Sequence, residues 1–173
     1  MKPYAIMRIS RLGMVGRFAT ALIGVVVIQG VLSFKFKVFG YFDLPLIYSV
    51  FYGFTLSSPI ASILIGTSLG LMQDSLSGVV LGANGLSKTL IGFFAAIAVS
   101  KFAVDQTITR ILALFLFSLG DGLLVTILSL MVGPAASATY SSALGDWLLS
   151  ATFNTLLGLV LFGYHDRTSN VTA

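Results

Sequence analysis

From Leu44 to Gln73 the chain runs thirty residues without a charged side chain. As a single α-helix that run would extend about 45 Å at 1.5 Å per residue, half as long again as a bilayer's hydrocarbon core of about 30 Å. One tilted span is too short a path for it, and a soluble helix would not bury it. Ser57-Ser58-Pro59 offers a break, because proline disrupts a helix interior but is tolerated in the first turn of a new helix. Asp43 is a plausible N-cap for the first piece, with Pro45 in its first turn. The run is therefore expected to form two membrane helices joined by a tight turn.

The rest of the chain has the same character. Only 9% of its 173 residues are charged and 57% are hydrophobic, whereas soluble domains carry about a quarter charged residues. Further apolar runs lie at Phe18–Phe34, Asn84–Ser100, Ile108–Val132 and Ala143–Phe162. A spanning helix uses roughly 20 residues, so six would take about 120 and leave no room for a separate soluble domain. The expected architecture is an all-α integral membrane protein, a compact bundle of six transmembrane helices over residues 18–165. A basic cytoplasmic segment (1–17) precedes it and a short cytoplasmic tail (166–173) follows. Around Val31–Lys35 there is no small-residue cleavage site, and more spans follow, so the first run is not read as a signal peptide.

The charges orient this bundle. With six spans and the N-terminus inside, Lys2, Arg8, Arg11, Arg17, Lys101, Arg110 and Arg167 are cytoplasmic, against Lys35, Lys37 and Lys88 outside: seven to three. With five spans the division is five to five. The positive-inside rule favours six, with both termini in the cytoplasm. The net charge of +4 thus serves orientation, and nucleic acid is not an expected partner. The aromatic and basic stretch from Lys35 to Phe42 is expected to lie at the membrane interface.

Small and polar residues recur at a spacing of four, which places them on one helical face. The third helix carries Ser58, Ser62, Gly66, Gly70, Asp74 and Gly78, the fourth Asn84, Lys88, Gly92, Ala96 and Ser100. The fifth has Ser118, Gly122 and Thr126 beside Asp121, and the sixth Asp146, Ser150, Asn154 and Gly158. In lipid, helices associate through such residues because apolar side chains gain little by exchanging lipid for one another. Ser62, Gly66, Gly70, Gly92, Asn154 and Gly158 are the expected packing or partner contacts. Packing alone accounts for the stripes; a ligand does not follow from them.

Four ionisable residues stand apart. Asp121 falls near the middle of the fifth helix, where a charge costs about 2.5–3.5 kcal/mol on insertion scales and usually faces protein or water. Asp74, Lys88 and Asp146 fall at the outer ends of their helices. Lys88 is expected either to pair with Asp74, Asp121 or Asp146, or to snorkel to the surface; Asp74 and Asp146 either join it or face the headgroups.

Catalytic chemistry is scarce. The chain has no Cys, one His, and six Asp with no Glu, which removes thiolate nucleophiles, disulfides and His/Cys metal sites. No cofactor or metal is expected. His165 beside Asp166 lacks an arguable nucleophile and is read as interfacial. The glycines from Gly78 to Gly85 lack the Lys-Ser/Thr ending and preceding strand of a phosphate loop, and are assigned to a turn.

One run of features is similar to a known family. Asp43-Leu44-Pro45 opens a short helix, and a second follows Ser58-Pro59. Then come Gly66-x-x-x-Gly70-Leu71-x-x-Asp74, Ser77-Gly78-x-x-x-Gly82 and Leu86-Ser87-Lys88-Thr89-Leu90-Ile91-Gly92-Phe93. From Asp43 to about Ala96 this resembles the rod shape-determining protein MreD family. A departure is the Ser57-Ser58 turn, which is often basic in that family. The resemblance implies a multi-pass protein of the bacterial inner membrane, a non-enzymatic subunit of the cell-wall elongation complex. Its implied partners are membrane lipid, the single-pass protein MreC directly, and the peptidoglycan glycosyltransferase/transpeptidase pair and actin-like MreB indirectly. The family's architecture is also similar to the substrate-binding components of energy-coupling-factor transporters. That likeness keeps a second function in view, a small-molecule capture or transport subunit, beside the scaffold.

Overall fold

The computed structural model describes residues 23–77, 81–101, 107–133 and 144–171. The expected segment 1–17 lies outside them, as does nearly all of the Gly133–Thr139 connection. Six α-helices are described: α1 (Ile23–Lys35), α2 (Leu44–Leu56), α3 (Pro59–Ser77), α4 (Ala83–Lys101), α5 (Thr107–Val132) and α6 (Leu144–Val171), with a short 3₁₀ turn at Lys37–Tyr41 between the first two. No strand occurs among the described residues.

The thirty-residue run is broken where proline requires it. Asp43 caps α2 by accepting the Leu46 N–H at 3.0 Å, and Pro45 sits in the first turn. At the other end Ser57 takes a left-handed conformation (φ 49°), and Ser58 carbonyl accepts the Ser62 N–H to start α3. Gly82, at φ 99°, makes the turn into α4 in a backbone region that side chains disfavour. The sixth helix runs to Val171, nine residues past the expected end of its span and through the expected tail. Nothing in Gly163–Arg167 breaks a helix, and the extension is tied down: Arg110 of α5 binds Asp166 at 2.6 Å and lies over the Phe162 ring.

Among the described residues, only α5 and α6 are by themselves long and apolar enough to cross a bilayer. α2, at thirteen residues, is about 20 Å long. Its N-terminus is enclosed by neighbours, which supply the hydrogen bonds that water would give elsewhere. Asn154, eleventh residue of α6, accepts the Asp43 N–H at 2.8 Å, and Gln29 of α1 accepts the Leu44 N–H at 2.6 Å while donating to the Phe42 carbonyl. Irregular backbone at membrane depth survives only with such partners.

Two antiparallel seams hold the bundle. Along α3 and α4, a Cβ on Gly66 would strike the backbone of Lys88, one on Gly70 the backbone of Asn84, and one on Gly92 would lie 2.8 Å from the Ser62 carbonyl. Each step of four up α3 thus meets a step of four down α4, with backbones touching where a side chain would separate them. The second seam keeps the same register through side chains: Gly158 of α6 receives Leu114 of α5, Asn154 donates to Ser118 at 2.8 Å, and Gly122 lies against the Trp147 ring. Between the seams, Leu46, Val50, Phe51, Phe54, Ile91, Leu114 and Phe162 form the apolar core.

Candidate functional site

At the end where α2, α4 and α6 begin and α3 and α5 finish, polar groups replace that core. Lys88 lies in the second turn of α4 with no exposure at all. Its ammonium meets Asp43 Oδ2 at 2.7 Å, Asp121 Oδ2 at 3.1 Å and Asn84 Oδ1 at 2.8 Å. Ser87 adds a 2.6 Å hydrogen bond to Asp121 Oδ1. The three ammonium protons are therefore committed, to groups from α2, α5 and α4 itself.

This arrangement decides between the sequence alternatives for Lys88 and corrects the reading of Asp43 and Asp74. Lys88 does not snorkel. Its carboxylate partners are Asp121 and Asp43, and Asp43 was expected only to cap; it does both, one oxygen on the Leu46 N–H and the other on Lys88. Asp74 is neither a partner of Lys88 nor a headgroup-facing residue. It is 1% exposed, and its two oxygens accept the backbone N–H groups of Gly82, Asn84 and Gly85 and the Asn84 side-chain amide at 2.9–3.1 Å. A carboxylate so placed caps α4 and meets the positive end of its dipole. Asn84 then links the two clusters, donating to Asp74 and accepting from Lys88.

A half-enclosed cavity of about 400 Å³ adjoins Lys88's partners. Asp43, Gln73, Asp121, Asp146, Trp147 and Asn154 are on its wall, with Tyr41 from the 3₁₀ turn and Phe42 just after it. Asp146, partly exposed, accepts the Tyr41 hydroxyl at 3.3 Å. Of the residues singled out from sequence, Ser62, Gly66, Gly70, Gly92, Asn154 and Gly158 lie in the two seams, and Asp121 and Asp146 face the cavity. Asp74 stands two hydrogen bonds away from Lys88, through Asn84.

Sequence reasoning passed over Gln29 and Gln73. Each is a lone glutamine in an apolar helix, a residue that in lipid needs a partner, and that was the available signal. Of His165 only its place in α6 is described. Among the described residues no three His, Cys, Asp or Glu side chains lie close enough to hold a metal ion.

The chain is thus an all-helical protein with a charged end and an apolar middle, in the manner of a membrane component. The family model of rod shape-determining protein MreD matches residues 14–167, and the chain belongs to that family. Its members are membrane proteins that take part in determining rod shape as part of a complex, and the family is not a known enzyme family. Comparisons with curated proteins and with solved structures give no match.

Proposed function

We propose that this protein is a non-enzymatic inner-membrane scaffold of the rod-shape complex, which binds the membrane segment of MreC and so supports peptidoglycan synthesis. Through MreC it reaches the glycosyltransferase/transpeptidase pair and MreB. The observation that carries this reading is the family match over residues 14–167. The seams fit a scaffold: the bundle is held by its own glycines and amides, which leaves outward apolar faces such as Ile108, Leu112 and Leu116 of α5 to lipid or another helix.

The reading includes six spans over 18–165 with the segments 1–17 and 166–173 in the cytoplasm. Burial of Lys88 supports it, because a lysine neutralised inside the bundle drops out of the loop count. Only Lys35 and Lys37 remain outside, and seven to three becomes seven to two; the five-span alternative becomes four to five. Single-cysteine labelling tests it on exposed positions of the two short turns. Leu56→Cys is expected to react only after the membrane is opened, and Leu81→Cys from outside intact cells; the reverse pattern overturns six spans.

For the function itself the test is purification of the intact protein in mild detergent, with identification of what accompanies it. Copurification of MreC is the expected result, and its absence at native expression levels defeats the scaffold. The second reading, a small-molecule capture subunit, is favoured by one observation, the cavity of about 400 Å³ with its aromatic wall.

A further inference from the structure

Hydroxyl groups in these helices commonly close on their own backbone. Ser49, Ser62, Thr67 and Thr155 each donate to the carbonyl one turn back, at 2.7–2.9 Å. Within a membrane that contact satisfies the group without a neighbour's help. Two hydroxyls do otherwise, Thr126 of α5 and Ser150 of α6. Neither has a hydrogen-bond partner among the described residues, and both residues stand on the wall of the cavity. Thr126 is 8% exposed, yet its oxygen is not sealed off as Gln73 Oε1 is.

Their placement brackets an aromatic ring. The Trp147 ring is fixed against Gly122, 3.2 Å from where a Cβ would stand. Thr126 lies one turn beyond Gly122 on the same face of α5, and Ser150 lies three residues beyond Trp147 on the same face of α6. The two helices run antiparallel, so one open hydroxyl is on the outer side of the ring and the other on the deeper side. Along the bundle they are about 10 Å apart at 1.5 Å per residue.

The carboxylates beside Lys88 are already engaged, Asp43 by Lys88 and the Leu46 N–H, Asp121 by Lys88 and Ser87. The two open hydroxyls are neutral, and each both donates and accepts. An aromatic face, negative at its centre, attracts the C–H groups of a saturated ring. These demands converge on a saturated ring that carries hydroxyls, and about 400 Å³ is at the low end of ligand cavities. We infer that the cavity binds a neutral sugar ring laid on Trp147, with its hydroxyls at Thr126 and Ser150, carried either by a glycolipid headgroup or by a free sugar. Occupancy of the cavity is separate from any helix bound on the outward faces, so the scaffold reading neither requires nor excludes it.

Trp147 is the chain's one tryptophan, so its emission reports the cavity directly. The full chain, held in a polyoxyethylene detergent, is titrated with octyl glucoside, with glucose, and with an octyl polyoxyethylene ether that has the same alkyl chain and no sugar. Emission and titration calorimetry follow each. Saturation by octyl glucoside at concentrations at least about tenfold below those for the ether, with glucose inert, supports the glycolipid source. Saturation by glucose itself supports the free sugar. In either case Thr126→Val and Ser150→Ala each weaken binding by about fivefold, the loss for one neutral hydrogen bond. Neither lowers the unfolding temperature, because neither hydroxyl has a described partner to lose. Equal titration by glucoside and ether, no saturation by either sugar in both measurements, or unaltered affinity in both variants overturns the proposal.

Discussion

Cut across its helices, the bundle has two unlike halves. In one, Leu46, Val50, Phe51, Phe54, Leu114 and Phe162 pack together, with Phe51 and Phe162 ring centroids 5.1 Å apart. In the other, Asp74, Lys88 and Asp121 are buried among Asn84, Ser87 and Asn154, with Asp43 partly exposed beside them. Helices α2, α4, α5 and α6 contribute to both, and α3 adds Asp74 to the charged half. The difference follows from the solvent: a Leu or Phe is nearly as comfortable in lipid as in the bundle, so the apolar half gives shape but little preference for one arrangement. A buried ammonium has few acceptable surroundings, so the charged half decides which helices must be neighbours. Whether such a cluster adds net stability is another matter, since desolvation offsets much of the attraction.

The largest expected effect comes from breaking the charged half. Lys88→Met leaves two carboxylates facing each other without their cation, and unfolding in detergent followed by circular dichroism should show a loss of about 3–5 kcal/mol. If desolvation is the reason, adding Asp121→Leu to that variant restores more than half of the loss. Gly66→Val attacks the seam that both halves share; its side chain meets the Lys88 backbone, which cannot move aside, and a loss of about 3 kcal/mol is expected, at the upper end for overpacking. In the apolar half Leu114→Ala should cost about 2 kcal/mol, the low end for soluble cores, because lipid solvates leucine well. Should Leu114→Ala prove more damaging than Lys88→Met, the contrast between the halves fails. The smallest effect belongs to Asp166→Asn. Its ion pair with Arg110 is half exposed on the Asp166 side, so the unfolding free energy should change by less than about 1 kcal/mol.

Much of the frame was legible in the sequence, for reasons that lie in single residues. Pro59 and the two serines before it dictate a break whatever surrounds them, and glycines four apart mark a face whatever packs on it. That one stripe would meet another in register, Gly66 against Lys88 and Gly70 against Asn84, was not legible, because spacing within a helix says nothing about its neighbour. The charged cluster shows the same limit. Asp121 declared itself by depth, but its link to Asp43 runs through Lys88 across three helices. Asp74 was misjudged because its partners are backbone N–H groups of a turn, which no side-chain pattern announces. The length of α6 was underestimated since the apolar run stops at Phe162 while the ion pair that sustains the helix lies beyond it.

The capping of α2 by α6 has a consequence for how the protein is made. Asn154 lies 111 residues after the Asp43 backbone N–H that it accepts. A nascent chain whose first five helices have been made still lacks that acceptor, as well as the partner of Ser118. The start of the second helix is thus completed only once the sixth has been made. Until then the polar end of the bundle cannot close.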